Sequence, residues 1–350
     1  MSLDLIYQEI QDRLRKQLVV IVGTGSSMAV DYNFGMNALE LHLKKEIPLQ
    51  IAKNSKAIRE WKKVTQNRKH GHDFEDSLNG VTSQFLLDRI ISETGNHVAK
   101  INHKNISKII SGNIPIKILF ERLKNTLSYV NPIIDIITPN YDLLLENALS
   151  QCNIDYNDGF YGGLQQKFDW FESEQLFNRL ERENKTKKIY TKIKPHFRLH
   201  KVHGSLNYFV YNDAVIKDDS LSYLEKFDNL DRFIITPGDS KHKRIVENRN
   251  FYQEMDNAID KAQTYLFVGY GFNDIDIDKK ICQNINQASR KAIIITKDLT
   301  GNAPAFLNDN PSIIAIYDNN LGGSSIRYDN DIHELKTQIW QIDEFAKEIL

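Results

Sequence analysis

Cysteine is almost absent from this sequence, which has only Cys152 and Cys282 in 350 residues. Two cysteines so far apart exclude a disulfide framework and a zinc ribbon built from paired cysteines. We therefore expect both to be small, buried apolar side chains. We also expect no bound metal.

Long apolar runs and an excess of one charge are lacking as well. No stretch approaches the ~20 apolar residues of a membrane span, and the N-terminal segment 1–16 is amphipathic, unlike a signal peptide. The chain has 45 basic and 46 acidic residues, without the basic excess typical of proteins that bind nucleic acids or anionic membranes. The sequence predicts a cytoplasmic protein that binds neither membranes nor nucleic acid directly.

Short apolar runs bounded by turn residues recur along the chain, as expected for strands that are buried on both faces. They are Leu18–Val22, Ile133–Ile137, Phe233–Ile235, Tyr265–Val268, Ala292–Ile295 and Ile313–Ile316. Amphipathic stretches such as Tyr252–Ala262 separate several of them. This alternation predicts an α/β fold with a mainly parallel sheet.

The chain between the first two runs has helical patterning instead. We expect an inserted helical subdomain over 36–130, a main domain formed by 1–35 and 131–330, and a C-terminal helix over 331–350. The charged segment Phe171–Lys194 predicts an exposed helix that ends in a loop, or the edge of a surface that binds a partner.

A glycine-rich turn follows the first strand. Glycines let the backbone turn tightly and approach a phosphate, but Met28 stands where a dinucleotide fingerprint has its third glycine. A dinucleotide site and a plain strand–helix turn both remain open. The turn consists of Gly23, Thr24, Gly25, Ser26 and Ser27.

A polar turn, Thr138 to Asp142, follows the second strand. Polar residues at the carboxyl end of a parallel strand lie where open α/β sheets bind ligands. The alternative is that Asn140 or Asp142 only caps the following helix, with Pro139 stiffening the turn.

Two further turns complete the set. His203 and Gly204 end a strand, where the histidine can act as a general base or can be structural. The other turn, Gly269 to Phe272, is followed by several aspartates, which are typical of an exposed acidic helix start.

In this order the four turns resemble the motifs of the sirtuin-like (SIR2-like) superfamily, and more closely those of bacterial sirtuin-like effectors of antiphage defence that consume NAD. The resemblance extends from about Leu18 to Asp298 and implies a Rossmann-like, doubly wound sheet with a helical insertion. It implies that Gly23, Gly25 and Ser26 hold the NAD pyrophosphate and ribose, that Asn140 and Asp142 bind the nicotinamide ribose or orient a water, and that His203 is the catalytic base. Further expected NAD contacts are Thr24, Ser27, Thr138, Gly204, Gly269, Gly271, Phe272 and Thr296. Thr296, Lys297 and Asp298 end another predicted strand, where they either contact the adenosine half of NAD or form a plain surface turn.

The sequence departs from the deacylating sirtuins in three places. It lacks their four-cysteine zinc ribbon, which argues against protein deacylation. The segment Ala29 to Phe34 replaces their Gly-Ile-Pro-Asp-Phe-Arg, and Pro139 replaces a glutamine or threonine.

The resemblance therefore implies an NAD glycohydrolase, with NAD as its substrate and no metal, that depletes cellular NAD in abortive infection. The alternatives are a noncatalytic regulatory module that binds NAD or ADP-ribose, and a mono-ADP-ribosyltransferase. Control of such an activity implies a homo-oligomer, or a separate P-loop ATPase or sensor protein as partner.

Overall fold

One large sheet organises the computed structural model of this chain, which describes residues 2–72, 74–182, 187–224, 230–236, 249–288 and 290–350. In their order across the sheet, its strands are β16 (Asp331–Leu335), β15 (Ser324–Tyr328), β14 (Ile314–Asp318), β13 (Lys291–Ile295), β12 (Thr264–Val268), β1 (Leu18–Val22), β2 (Ile133–Thr138), β8 (His196–Lys201) and β3 (Tyr156–Asn157). Neighbours from β14 to β3 are parallel, and β15 and β16 continue the sheet in antiparallel pairing.

Two smaller sheets are antiparallel. The first contains β11 (Asp231–Ile234), β9 (Gly204–Tyr211), β10 (Ala214–Lys217), β5 (Gln166–Phe168) and β4 (Phe160–Gly162). The second is a hairpin of β6 (Asn178–Arg182) and β7 (Ile189–Ile193).

Helices lie on both faces of the large sheet and follow many of its strands along the chain. They are α1 (Leu3–Leu14), α2 (Thr24–Met28), α3 (Met36–Ile51), α4 (Ser55–Lys69), α5 (Phe74–Ser77), α6 (Gln84–Lys104), α7 (Ile106–Ile110), α8 (Ile116–Lys124), α9 (Leu144–Gln151), α10 (Trp170–Gln175), α11 (Asn250–Lys261), α12 (Ile275–Ala288), α13 (Ala303–Asp309) and α14 (Ile342–Glu348). Short 3-10 helices cover Tyr32–Phe34 and Asp219–Leu221. None of the helices in the described ranges is long and apolar enough to cross a membrane.

The sheet is doubly wound because its central strand is apolar on both faces. All five residues of β1 are buried. Leu18, Val20 and Val22 pack with α1, α8, α9 and α14, whereas Val19 and Ile21 pack with α11, α12 and α13. The predicted α/β fold class is confirmed.

The strand order reverses next to β1. The chain proceeds from β1 to β2 and β8 on one side, and then returns to place β12, β13 and β14 on the other. In such sheets ligands bind outside the carboxyl ends of the strands at this switch point. The topology therefore directs attention to the turns after β1, β2 and β12.

Between β1 and β2 the described residues form helices α2 to α8 and no strand. Residues of α3, α4 and α6 share a separate apolar cluster that includes Leu43, Trp61 and Ile90. The boundaries of an inserted subdomain at 36 and 130 stay a prediction.

Four expectations were wrong in detail. The run Phe233–Ile235 overlaps β11 of the first small sheet, which pairs antiparallel with β9, because β9 follows β8 into that sheet and has β10 on one edge and β11 on the other. The C-terminal helix covers only Ile342–Glu348, and 331–335 is the edge strand β16. Segment Phe171–Lys194 begins in helix α10, as expected, but it continues into the hairpin β6–β7 instead of a loop, and its residues 183–186 lie outside the described ranges. Cys152 is buried as expected, but Cys282 is only half-buried.

Candidate functional site

A cavity of about 800 Å³ lies at the switch point. Its wall includes the turns that follow β1, β2, β12 and β13, together with His203 after β8. Residues of α3, α5 and α6 and the segment Trp340–Asp343 also line it. Parts of the chain that are far apart in sequence thus enclose one space.

The glycines of the first turn allow it to pack directly against the turn after β12. The N–H of Gly23 donates to the Val268 carbonyl at 2.9 Å, and the N–H of Gly25 donates to the Gly269 carbonyl at 3.0 Å. A Cβ on Gly23 would lie 2.4 Å from the Gly269 oxygen, and a Cβ on Gly25 would lie 2.8 Å from the Gly269 Cα. The space that these glycines leave is therefore filled by protein backbone. The need for glycine at these positions thus has a different cause from the close approach of a phosphate that the sequence led us to expect.

Asn140 joins the first and second turns. Its Nδ2 donates to the Gly23 carbonyl at 3.0 Å and to Ser27 Oγ at 3.1 Å, while Thr24 Oγ1 donates to its Oδ1 at 3.3 Å. The backbone N–H of Asn140 donates to Thr138 Oγ1 at 3.1 Å. The amide thus fixes both turns while it lines the cavity.

Asp142 is held by the protein on both carboxylate oxygens. Ser27 Oγ donates to its Oδ2 at 2.6 Å and the Leu144 N–H donates to its Oδ1 at 3.0 Å. Behind it, the buried ammonium of Lys201 donates to the Asp142 backbone carbonyl and to Glu146 Oε1, the latter at 2.7 Å. The bonds favour a positioning role for Asp142.

His203 is only 6% exposed and faces a carboxylate. Its Nε2 lies 3.1 Å from Asp274 Oδ2, which is within ion-pair distance, although the angle is not that of a hydrogen bond. The Ile235 N–H donates to the His203 carbonyl at 2.8 Å and fixes the backbone. Next to it, Gly204 has φ +83° and its missing Cβ would lie 2.0 Å from the Phe233 oxygen, so only glycine fits where β9 meets β11.

The expected site residues divide into two groups. Those that line the cavity are Gly23, Thr24, Gly25, Ser26, Asn140, Asp142, His203, Gly269, Gly271 and Thr296, with Lys297 and Asp298 beside the last. Those that lie behind its wall are Ser27, Thr138, Gly204 and Phe272, where Ser27 and Thr138 support the turns through the hydrogen bonds described. The assignment of NAD contacts to either group remains a prediction.

Sequence reasoning missed several cavity residues. Asp274 was expected only to begin an acidic helix, yet it precedes α12 and faces His203. The C-terminal residues Trp340–Asp343 and His97 of α6 also line the cavity. None of these carries a local signal, because their position depends on how distant segments pack.

The segment that replaces the deacylase motif is anchored by the helical region. His97 Nε2 lies 3.1 Å from the Asn33 carbonyl, and Asn105 Nδ2 donates to Asp31 Oδ2 at 2.8 Å. Partial burial raises the pKa of Asp31, but the hydrogen bonds from Asn105 and Asn33 outweigh it and lower the pKa to about 2. The anchored segment presents Tyr32 to the cavity.

We expect His97 to make the protein less stable as the pH falls from about 6.5 to about 4. Burial and the nearby His42 lower the pKa of His97 to about 4. In that interval the unfolded chain binds a proton that the folded protein does not, so the free energy of unfolding decreases. The melting temperature of His97→Gln should therefore fall less between neutral pH and pH ~4.5 than that of the native protein. His72→Gln, at an exposed histidine, is the control, and an equal fall in the His97 variant and the native protein would contradict this account.

Histidines near the site are engaged in other contacts. His200 Nε2 lies 2.8 Å from Asp135 Oδ1, and His196 Nδ1 lies 2.7 Å from the Lys194 carbonyl. Within the described ranges, no group of three or more His, Cys, Asp and Glu side chains is arranged to hold a metal ion.

Comparison with known proteins identifies the family to which the chain belongs. A family model described as a SIR2-like domain matches residues 135–311, about half of the chain, and the chain belongs to this family, whose members are NAD-dependent enzymes. No curated protein matches the chain. Among similar solved structures is one described as "The Structural basis of Sirtuin Substrate Affinity", with a TM-score of 0.46 and 11% identity over 100% of this chain and 98% of that chain.

Proposed function

We propose that this protein is an NAD glycohydrolase that releases nicotinamide and ADP-ribose. The observation that carries the proposal is the position of His203, paired with Asp274, in the same cavity as Asn140. A general base and a polar turn thus meet at the point where a doubly wound sheet binds its ligand.

The cavity suits an elongated dinucleotide. Its volume of about 800 Å³ lies in the upper part of the range for small-molecule sites. Thr296, Lys297 and Asp298 form one part of its wall, and Asn140 and His203 form another. We place the adenosine half of NAD against the first group and the nicotinamide ribose against the second.

Hydrolysis of NAD requires that the ribose and a water molecule are held in position and that one group accepts a proton from the water. A water oxygen forms a bond to the ribose C1′ while the bond from C1′ to the nicotinamide nitrogen breaks, and its electron pair leaves with neutral nicotinamide. His203 accepts the proton of the water, and the Asp274 carboxylate at 3.1 Å stabilises the resulting imidazolium. Asn140 and Asp142 keep the second turn in the shape that aligns the ribose and the water.

The biological role we propose is that of an antiphage-defence effector that depletes cytoplasmic NAD. The support is the resemblance of the four turns to those of bacterial effectors of this kind. Its control would lie in a homo-oligomer, or in an ATPase or sensor partner, because unrestrained NAD cleavage would be toxic to the cell.

We expect the purified protein to convert NAD into equal amounts of nicotinamide and ADP-ribose. Chromatography of the products over a series of protein concentrations measures this, and a steep dependence on concentration would indicate activation by assembly. His72→Gln, whose histidine is exposed and lies outside the cavity, should retain full turnover. Binding of NAD without nicotinamide release would favour a regulatory module, and a gain of mass by an acceptor protein would favour a transferase.

A further inference from the structure

The segment 339–343 brings an aromatic side chain to the wall of the cavity. Ile339 is fully buried and Ile342 is 6% exposed, and both belong to the apolar cluster on one face of the large sheet. These two anchors fix the turn between them. Trp340, inside that turn, packs against the same cluster, but it is only half-buried and lines the cavity. Of the three tryptophans in the chain, all of them in the described ranges, only Trp340 does so.

Hydrogen bonds place Trp340 at the same edge of the sheet as the turn after β13. The Asp318 N–H donates to the Lys297 carbonyl at 2.9 Å, and Asp318 pairs with Ser324 in the neighbouring strand. The Trp340 N–H in turn donates to Ser324 Oγ at 3.1 Å. Trp340 therefore lies beyond the carboxyl end of β14. In the order of the strands, this is the side of the cavity away from His203, which follows β8.

The part of the Trp340 indole that a ligand can reach is carbon surface. Its Nε1 is buried and has no hydrogen-bond partner among the described residues, so a ligand in the cavity meets ring carbons rather than this N–H. The apolar side chains of Pro115, Ile295 and Ile342 also line the cavity, and Thr296 adds a hydroxyl. A flat aromatic ring with polar groups at its edge suits such a surface.

We propose that Trp340 is the platform on which the adenine ring of NAD stacks. The assignment rests on the proposed function only in taking an adenine dinucleotide as the ligand. With the nicotinamide ribose beside Asn140 and His203, the dinucleotide extends across the carboxyl ends of β1, β12 and β13, and its adenine lies next to β14. Trp340 is the aromatic side chain at that end. It sets the preference for the base and contributes binding energy far from the bond that breaks.

The test is binding of ADP to the full chain, measured by calorimetry, because ADP carries the adenine but has no nicotinamide bond to cleave. Trp340→Leu should bind ADP at least about 5-fold more weakly, as expected when a base loses its aromatic stacking partner. Trp340→Phe keeps a ring and should recover most of the affinity. Trp170→Leu is the matched control, since Trp170 is also half-buried but stacks on His200 outside the cavity, and it should bind ADP as the native chain does.

Two further measurements separate recognition of adenine from support of the fold. UDP has the same ribose and diphosphate but a smaller base, so the preference of the native chain for ADP over UDP should shrink in Trp340→Leu. ADP should also quench the tryptophan fluorescence of the native chain and of Trp170→Phe. Trp340→Phe should bind ADP without this quenching, which tests the contact even if Trp340→Leu does not fold.

Three results would overturn the proposal. The first is the absence of ADP binding to the native chain at millimolar concentration. The second is equal affinity for ADP in folded Trp340→Leu and the native chain, or equal quenching in Trp340→Phe and Trp170→Phe. The third is an equal loss of ADP and UDP binding in Trp340→Leu without recovery in Trp340→Phe, which would give Trp340 a structural role.

The outcome for the proposed function is separate. A native chain that binds ADP through Trp340 but releases no nicotinamide from NAD would retain the platform and reject the hydrolase. A native chain that cleaves NAD, with ADP affinity unchanged in folded Trp340→Leu, would retain the hydrolase and reject the platform. The melting temperature of each variant shows whether it is folded.

Discussion

His203→Ala is expected to release nicotinamide from NAD about 10²- to 10⁴-fold more slowly than the native protein, which is the usual contribution of a general base. The His203 imidazole is the proton acceptor in the proposed mechanism, and alanine leaves no acceptor in its place. The measurement is steady-state nicotinamide release, together with a thermal melt that shows the variant to be folded.

A variant of Asp274, the carboxylate that faces His203, tests whether this histidine is catalytic or structural. If Asp274 stabilises the imidazolium at 3.1 Å, Asp274→Asn should lower kcat with little change in KM and should alter its pH dependence. Asp276→Asn, two residues further along and outside the cavity, is the matched control. Unchanged turnover in His203→Ala would remove the histidine from the mechanism, and equal losses in the two aspartate variants would remove the role of Asp274.

The central strands and the turns after them could be predicted because their signal is local. Leu18–Val22 reads as a strand buried on both faces, and it is one. The turns at Gly23 and Asn140 follow such strands directly, so parallel pairing of β1 with β2 brings them to the same edge.

Other elements depend on contacts that a local pattern does not contain. The strand Phe233–Ile235 is as apolar as the others, but its pairing with β9 follows from the path of the chain after His203. The hairpin β6–β7 lacks a regular alternation, since Glu181 is followed by Arg182 in β6 and Ile189 by Tyr190 in β7, and its many charges resemble those of a solvated helix. Likewise, the approach of Asp274 to His203 depends on the crossing from one half of the sheet to the other.

Lys201→Met is expected to lower the free energy of unfolding by about 3–5 kcal/mol, as for other buried ion pairs that lose one partner. Lys201 is 3% exposed and its Nζ lies 2.7 Å from Glu146 Oε1, while Glu146 Oε2 has no hydrogen-bond partner in the described part of the chain. Burial already raises the pKa of Glu146 against the opposing attraction of Lys201, so removal of the cation leaves a carboxyl that must be neutral to stay buried. Urea unfolding measures the loss, and Lys201→Met/Glu146→Gln should recover part of it.

The same variant also tests how the second turn is held. Lys201 donates to the Asp142 carbonyl, so its loss should slow NAD cleavage even where the protein is folded. Lys217→Met is the matched control, because Lys217 forms an equally buried pair with Asp158 at 2.6 Å and does not line the cavity. Both variants should lose stability, but only Lys201→Met should lose turnover at a temperature at which both are folded. Equal turnover in the two would mean that Lys201 stabilises the fold without positioning the turn, and the shape of the Asn140–Asp142 segment would then depend on its other hydrogen bonds, among them those with Ser27 and Gly23.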